Sequence, residues 1–116
     1  MIVVVGGRAS GKRTYIESLG FSAADMADGI LDERPVLVNL QDLVAASDAE
    51  PQQLAEALLD KQVVSCCEVG NGIVPIDPNE RAWRERVGRT LNIVAERADT
   101  VVRMVCGIPV VLKPRG

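Results

Sequence analysis

Residues 1–14 read MIVVVGGRASGKRT, and the rest of the chain is arranged by how this stretch folds. Ile2 to Val5 are consecutive β-branched apolar residues, the pattern of a strand buried on both faces in a parallel sheet. Gly6 and Gly7 end the run, and Gly11-Lys12 follow at the spacing G-x-x-x-x-G-K. Glycines let successive backbone N–H groups converge on an anion, the next helix points its positive N-terminus at the same spot, and a lysine reaches the outer phosphates. The spacing therefore assigns Gly6, Gly7, Arg8, Ala9, Ser10, Gly11 and Lys12 to the phosphates of a nucleotide, with Lys12 also as a catalytic charge. A Ser or Thr normally follows that lysine and holds Mg²⁺. Here Arg13 stands in its place and the hydroxyl comes one residue later, at Thr14. Arg13 is left to bind phosphate directly.

Downstream of the loop, Lys12 to about Leu19 is expected to be a short helix stopped by Gly20. Phe21 to Pro35 resists assignment: SAADMADG fits a helical turn, and DERP is turn-like because Pro35 pushes Arg34 into an extended conformation. Val36 to Leu40 reads as a second buried strand. Asn39, Gln41 and Asp42 stand at its carboxyl end, where open parallel sheets place ligands. Asn39 is a candidate nucleotide contact or else the cap of a turn; Asp42 and Thr14 are the candidate metal oxygens. Ser47 to Glu50 has the S-x-x-E form of a capping box and predicts a helix running to about Asp60.

Gln62 to Val69 reads as a third strand ending near Glu68, an acid next to glycines and a catalytic candidate, followed by the glycine-rich GNGIVP. Asp77 as N-cap, Pro78 in the first turn and Glu80 closing a box start the longest helix. Its apolar stripe is Trp83, Val87, Leu91, Val94, Ala95 and Ala98, with Trp83 in the core or at a subunit interface. Thr100 to Cys106 gives a fourth strand, and Gly107-Ile108 turns it back on Pro109 to Leu112 as an edge hairpin, where a proline is tolerated. Strands alternating with helices in this way predict a three-layer α/β fold with a mostly parallel sheet.

The bulk numbers narrow the function. With 116 residues, one domain is expected, able to bury a real core. Only 3% of residues are aromatic and the net charge is −3, which argues against nucleic acid as a partner. No apolar run is long enough to span a bilayer, and the start lacks the basic residues and cleavage site of a signal peptide, so a cytoplasmic location is the default expectation. Residues 1–60 carry ten acids and four bases, residues 61–116 six acids and nine bases. The excess base lies mostly between Arg81 and Arg97, as a solvated helix face or as a surface toward an anion or another subunit. Cys66, Cys67 and Cys106 all fall in apolar segments, where buried free thiols are usual, and the adjacency of Cys66 and Cys67 with no histidine in the chain argues against a zinc site.

The second half carries a more specific signal. CCEVGNGIVP (residues 66–75) followed by RAWRERVGRTLNIVAERADTVVRMVCGIPVVLK (residues 81–113) resembles the C-terminal half of the adenosylcobinamide kinase / adenosylcobinamide-phosphate guanylyltransferase family. That family reads NEVGxGIVP and then RxxRDxxGxxNQxxAxxADxVxxxxxGxPxxxK, and GGRASGK is similar to its GGxxSGKS. The resemblance implies a RecA-like P-loop NTPase fold and a homotrimer acting in the nucleotide-loop branch of cobalamin (vitamin B12) synthesis. It implies GTP or ATP with Mg²⁺ as cofactors and phosphorylation of adenosylcobinamide. GMP transfer through a guanylylated histidine then follows in the family. By position, Gly6, Gly11 and Lys12 would hold triphosphate, Glu68, Gly70 and Gly72 would form the signature loop, and Arg81 and Arg84 would be the helix arginines, although arginines so placed are more often a solvated face or salt-bridge partners than substrate ligands.

This chain departs from the family at three places. The loop serine is Arg13. The acid ending the second core strand, in a VLVDCLT-like run, is Asn39. Only the short stretch from Phe21 to Pro35 stands where the family has a strand and a histidine-bearing helix, and the chain contains no histidine at all. Guanylyl transfer through histidine is thereby excluded, and both protein contributions to Mg²⁺ are weakened. The alternative to a reduced kinase is a non-catalytic nucleotide-binding or oligomerising module.

Overall fold

A computed structural model of the protein describes residues 1–68 and 77–114. The opening apolar run is strand β1 (Ile2–Gly6) and the residues after the loop are helix α1 (Lys12–Ser18). They are followed by β2 (Met26–Asp28), β3 (Val36–Val38), α2 (Leu40–Ala46), α3 (Pro51–Ala57) and β4 (Val63–Cys67). The long helix α4 (Pro78–Arg97) and the hairpin β5 (Thr100–Val105) and β6 (Ile108–Lys113) complete the described chain.

The sheet runs β2-β3-β4-β1-β5-β6, with every pairing parallel except β5 with β6. Strand β1 lies centrally between β4 and β5. Its alternate side chains feed two separate cores, as a doubly covered parallel strand requires. Val3 and Val5 pack with Leu37, Val64 and Cys66 under α2, α3 and α4. Val4 packs with Val36, Val38, Val63 and Val102 under Ile16 of α1. The fold is the expected three-layer α/β arrangement of the P-loop type, closed at one edge by the antiparallel strand β6.

Four expectations need correction. Within the unassigned stretch from Phe21 to Pro35, Met26–Asp28 forms a strand, β2, paired in register Met26↔Val36 to Asp28↔Val38. Three residues are too few for an alternation signal, and pairing with β3 supplies what propensity does not. The second strand stops at Val38, not Leu40, because Asn39 turns the chain with φ 60 and Leu40, Leu43 and Val44 form a helical stripe into the core. Glu50, not Ser47, caps α3: its side chain accepts from the N3 backbone, Gln53 reaches back to its N–H, and Pro51 fills the first turn. Ser47 Oγ instead accepts from Ala49 N at 3.1 Å. Finally, Cys106 is exposed and not buried. Cys106 and Gly107 both have positive φ (50 and 78), and together they form the two-residue connection of the hairpin.

The long helix follows its expected bounds. Asp77 accepts from Asn79 N at 2.9 Å as N-cap, although Glu80 pairs with Arg84 at 3.3 Å, so the expected closed box is absent among the described contacts. No helix among the described residues is long and apolar enough to cross a membrane.

Candidate functional site

The loop between β1 and α1 is built around glycine geometry. A Cβ on Gly6 would lie 2.4 Å from Ser10 Oγ and 3.0 Å from the Met104 carbonyl oxygen, and that backbone neighbour cannot yield. Gly11 has φ 96, and a Cβ there would meet the Gly107 Cα at 3.2 Å. Ala9 also takes a left-handed conformation, φ 58, and the loop curls tightly, with Ser10 N donating to the Gly7 carbonyl at 3.2 Å. The hairpin connection buttresses it, Gly107 N donating to the Ser10 carbonyl at 3.0 Å. Lys12 Nζ folds back over the loop and donates to the Gly7 and Gly6 carbonyls at 2.7 and 3.2 Å. Ser10 Oγ is buried without a partner among the described residues.

The loop opens on a pocket of about 570 Å³. Arg8, Ala9, Ser10, Gly11, Lys12, Arg13 and Thr14 form one side, Val38, Asn39, Gln41 and Asp42 another, and Ser65 and Cys67 of β4 contribute from the strand beside β1. All the loop and strand-end candidates from Arg8 to Thr14, with Asn39 and Asp42, therefore meet in one cavity. Gly6 and Gly7 sit behind it, their carbonyls holding Lys12. Three cationic side chains against the single carboxylate of Asp42 make this lining suited to a polyanion.

A hydrogen-bond chain fixes the wall opposite the loop. Asn39 Nδ2 donates to Asp28 Oδ1 at 2.6 Å, and Gln41 Nε2 donates to Asn39 Oδ1 at 3.2 Å. Gln41 is itself buried and accepts from Cys67 N at 3.1 Å, while its carbonyl accepts from Trp83 Nε1 at 2.9 Å. Asn39 is thus neither a free ligand nor a side-chain cap: it ties β2 to the first turn of α2 while lining the pocket. Asp28 escaped the sequence reading because its strand did, and the pair was separated by eleven residues with no shared motif. Ser65 and Cys67 were legible only as alternate residues of a buried strand, with no polar pattern to distinguish them.

Glu68 is not brought to Lys12. Its carboxylate receives Arg103 Nε at 2.6 Å and Nη2 at 3.2 Å, a two-point contact, in a separate cavity with Val5, Leu91 and Leu112 on the α4 side of the sheet. Its backbone N–H donates to the Gly6 carbonyl of the loop at 2.9 Å. The sequence places Glu68 correctly at a strand end, but the alternation of that end sends its side chain to the opposite face from Cys67. Arg84 is engaged by Glu80, and Arg86 ties α4 to the link before α3 through the Ser47 and Ala49 carbonyls. Gly70 and Gly72 lie outside the described residues. Burial pushes the Cys66 thiol up to about 12, which keeps it an inert core group.

Among protein families, the one described as cobinamide kinase / cobinamide phosphate guanyltransferase matches residues 32–112 of this chain. The matched span contains Asn39, Asp42, Ser65, Cys67 and Glu68 and begins after the phosphate loop. No curated protein matches the chain.

Proposed function

The chain belongs to the cobinamide kinase / cobinamide phosphate guanyltransferase family, and from that premise we propose a nucleoside triphosphate site at the β1–α1 loop serving phosphoryl transfer to a cobinamide. The membership connects the protein to cobalamin synthesis. The observation that carries the nucleotide reading is the pocket in which the G-x-x-x-x-G-K loop, three cations and the carboxyl ends of β3 and β4 converge. The backbone N–H groups of Ala9 to Lys12 hold the phosphates of GTP or ATP, and Lys12 leaves the Gly6 and Gly7 carbonyls for the outer phosphate. The curled glycine loop and the buried, unpartnered Ser10 Oγ fit such an anion. Phosphoryl transfer is mostly positioning and charge neutralisation, and these residues supply both.

Mg²⁺ demands oxygen ligands and keeps several waters, so one or two carboxylates with substrate phosphates suffice. Thr14 and Asp42, both lining the pocket, fit that donor chemistry and would hold the ion, which would neutralise charge on the transferring phosphate. Guanylyl transfer through a histidine has no nucleophile here, since the chain has none. Arg13 beside Lys12 favours a second reading, in which nucleotide is bound without turnover. Assembly into a homotrimer through α4 or the terminal hairpin follows from the family resemblance and from the exposed apolar residues of β6.

Calorimetric titration with ATP and GTP, each with and without Mg²⁺, tests the site; absence of binding in all four titrations overturns it. Transfer of labelled terminal phosphate to adenosylcobinamide separates kinase from binding module. Labelled GTP should leave no acid-labile protein–GMP adduct.

A further inference from the structure

The phosphate loop is braced from the edge of the sheet. Strand β5 runs beside β1 with Met104 opposite Gly6, and the hairpin connection after it, Cys106 and Gly107, reaches the loop. Gly107 N donates to the Ser10 carbonyl at 3.0 Å. Both outer glycines of the motif are pressed from this side. A Cβ on Gly6 would lie 3.0 Å from the Met104 carbonyl oxygen, and one on Gly11 would lie 3.2 Å from the Gly107 Cα and 3.7 Å from the Met104 Cε. A trans peptide is planar, and its C=O and N–H point in opposite directions. The Ser10 carbonyl and the Gly11 N–H share one such plane, so the bond from Gly107 turns the Gly11 N–H away from the hairpin. The next amide is set by another element: the Gly11 carbonyl accepts from Tyr15 N at 3.0 Å, which leaves the Lys12 N–H at the open end of α1. The connection itself holds an uncommon backbone, with φ 50 at Cys106 and φ 78 at Gly107. A Cβ on Gly107 would meet nothing within 4 Å. Position 107 therefore requires the left-handed conformation and its N–H, not empty space.

We propose that Gly107 is a positioning residue of the phosphate site: from the β5–β6 hairpin it holds the Ser10 carbonyl and so presents the Gly11 N–H to an incoming phosphate. The inference rests on the nucleotide reading above. It makes the antiparallel edge part of the site's machinery, although no described residue of the hairpin lines the pocket. The linkage runs both ways, since phosphate on the loop strengthens the hairpin contact by as much as the contact strengthens phosphate binding.

The probe is inorganic tripolyphosphate, which has the phosphates of ATP without its nucleoside, titrated calorimetrically beside ATP and GTP in Mg²⁺. Asparagine adopts the left-handed conformation readily and alanine does not. Gly107→Ala therefore lets the turn relax away from the loop, and binding must restore it, whereas Gly107→Asn keeps both the conformation and the N–H. Gly107→Ala should weaken all three ligands by a common factor of about tenfold, because the contact acts on the phosphate loop alone. Gly107→Asn should stay within about threefold of the unaltered protein. Leu58→Ala, at a fully buried leucine ending α3, destabilises the fold and should leave affinity unchanged below its melting transition. In the unaltered protein, exchange of the Gly107 amide hydrogen should slow when tripolyphosphate or ATP saturates the site, a measurement that needs no variant. Unchanged affinity in Gly107→Ala overturns the proposal, as do equal losses in Gly107→Ala and Gly107→Asn. A loss in Leu58→Ala equal to that in Gly107→Ala, or a Gly107 amide indifferent to ligand, overturns it too. In each of these cases binding by the unaltered protein leaves the nucleotide reading standing. Failure of the unaltered protein to bind any of the three ligands overturns both.

Discussion

Two runs of nearly the same composition end up in opposite circumstances. Residues 2–5, IVVV, form the middle of the sheet, where Val3 and Val4 are fully buried. Residues 108–112, IPVVL, form its antiparallel edge, where Ile108 is 64% and Leu112 57% exposed. Both runs carry the β-branched signal for a strand, and both are strands. The difference lies in what flanks them. Strand β1 has β4 on one side, β5 on the other and a helix layer over each face, whereas β6 has only β5. Pro109 lacks an amide hydrogen and blunts the free edge, and Lys113 leaves the strand to cap α4 through the Ala95 and Glu96 carbonyls at 3.3 and 2.8 Å. Burial on two faces makes the centre a stability element, whereas the one-sided edge leaves Ile108, Val110, Val111 and Leu112 exposed.

The largest expected effect separates the two regions by unfolding. Leu37→Ala on β3, fully buried in the larger core, should lower the unfolding free energy by about 2–5 kcal/mol, as deleting a core leucine does. Leu112→Ala on β6 should shift it by less than about 0.5 kcal/mol in the dissociated chain. Equal losses in denaturant titrations would erase the contrast between centre and edge.

The next effect belongs to the loop that β1 carries. Lys12→Ala should weaken ATP or GTP binding by about 1.5–3 kcal/mol, the usual range for a charge-assisted hydrogen bond, and leave thermal unfolding near that of the unaltered chain. Among the described residues, Lys12 bonds to the loop carbonyls of Gly6 and Gly7. Unchanged affinity would show that the loop no longer serves a ligand.

At the edge, Ile108→Lys should lower the mass seen by light scattering at high concentration without lowering the melting temperature of the isolated chain. A mass near 12.4 kDa for the unaltered protein at every concentration would show that β6 is covered by nothing in solution.

The smallest effect contrasts the two cysteines of these regions. Cys106, on the exposed hairpin turn, should react with a thiol reagent in the native state, while Cys66 on β4 should react only on unfolding. The folded thiol of Cys66 stays protonated up to about 12, whereas an unfolded one ionises near 9.0. The unfolded state therefore releases the proton first as pH rises, and stability should decline slightly above pH 9. Cys66→Ser should abolish that decline in pH-dependent melts. Asp32 titrates at the other end of the scale: its hydrogen bond from Arg34 holds the carboxyl below 3.8, so what it contributes persists at neutral pH and fades as acid protonates it.

Local chemistry was enough for the elements that carry their own periodicity. The strand β1, the loop to Lys12, the long helix from its Asp77 cap, and the edge hairpin with its proline could all be read before any contact was known, because each depends on neighbours within a few residues. The apolar run, the G-x-x-x-x-G-K spacing and the motifs from Glu68 to Lys113 likewise pointed to the right family. Tertiary structure alone decided the short elements and the assembly of the site. Strand β2 exists through its pairing with β3, and Asn39 ends β3 because Leu40, Leu43 and Val44 find a core to fill. The side chain of Glu68 leaves the pocket because Arg103 waits on the far face, and the pocket wall at Asn39 is tied to β2 because Asn39 reaches across eleven residues to Asp28. Such contacts join residues distant in the chain, and their energies are set by burial and partners that no local spacing encodes.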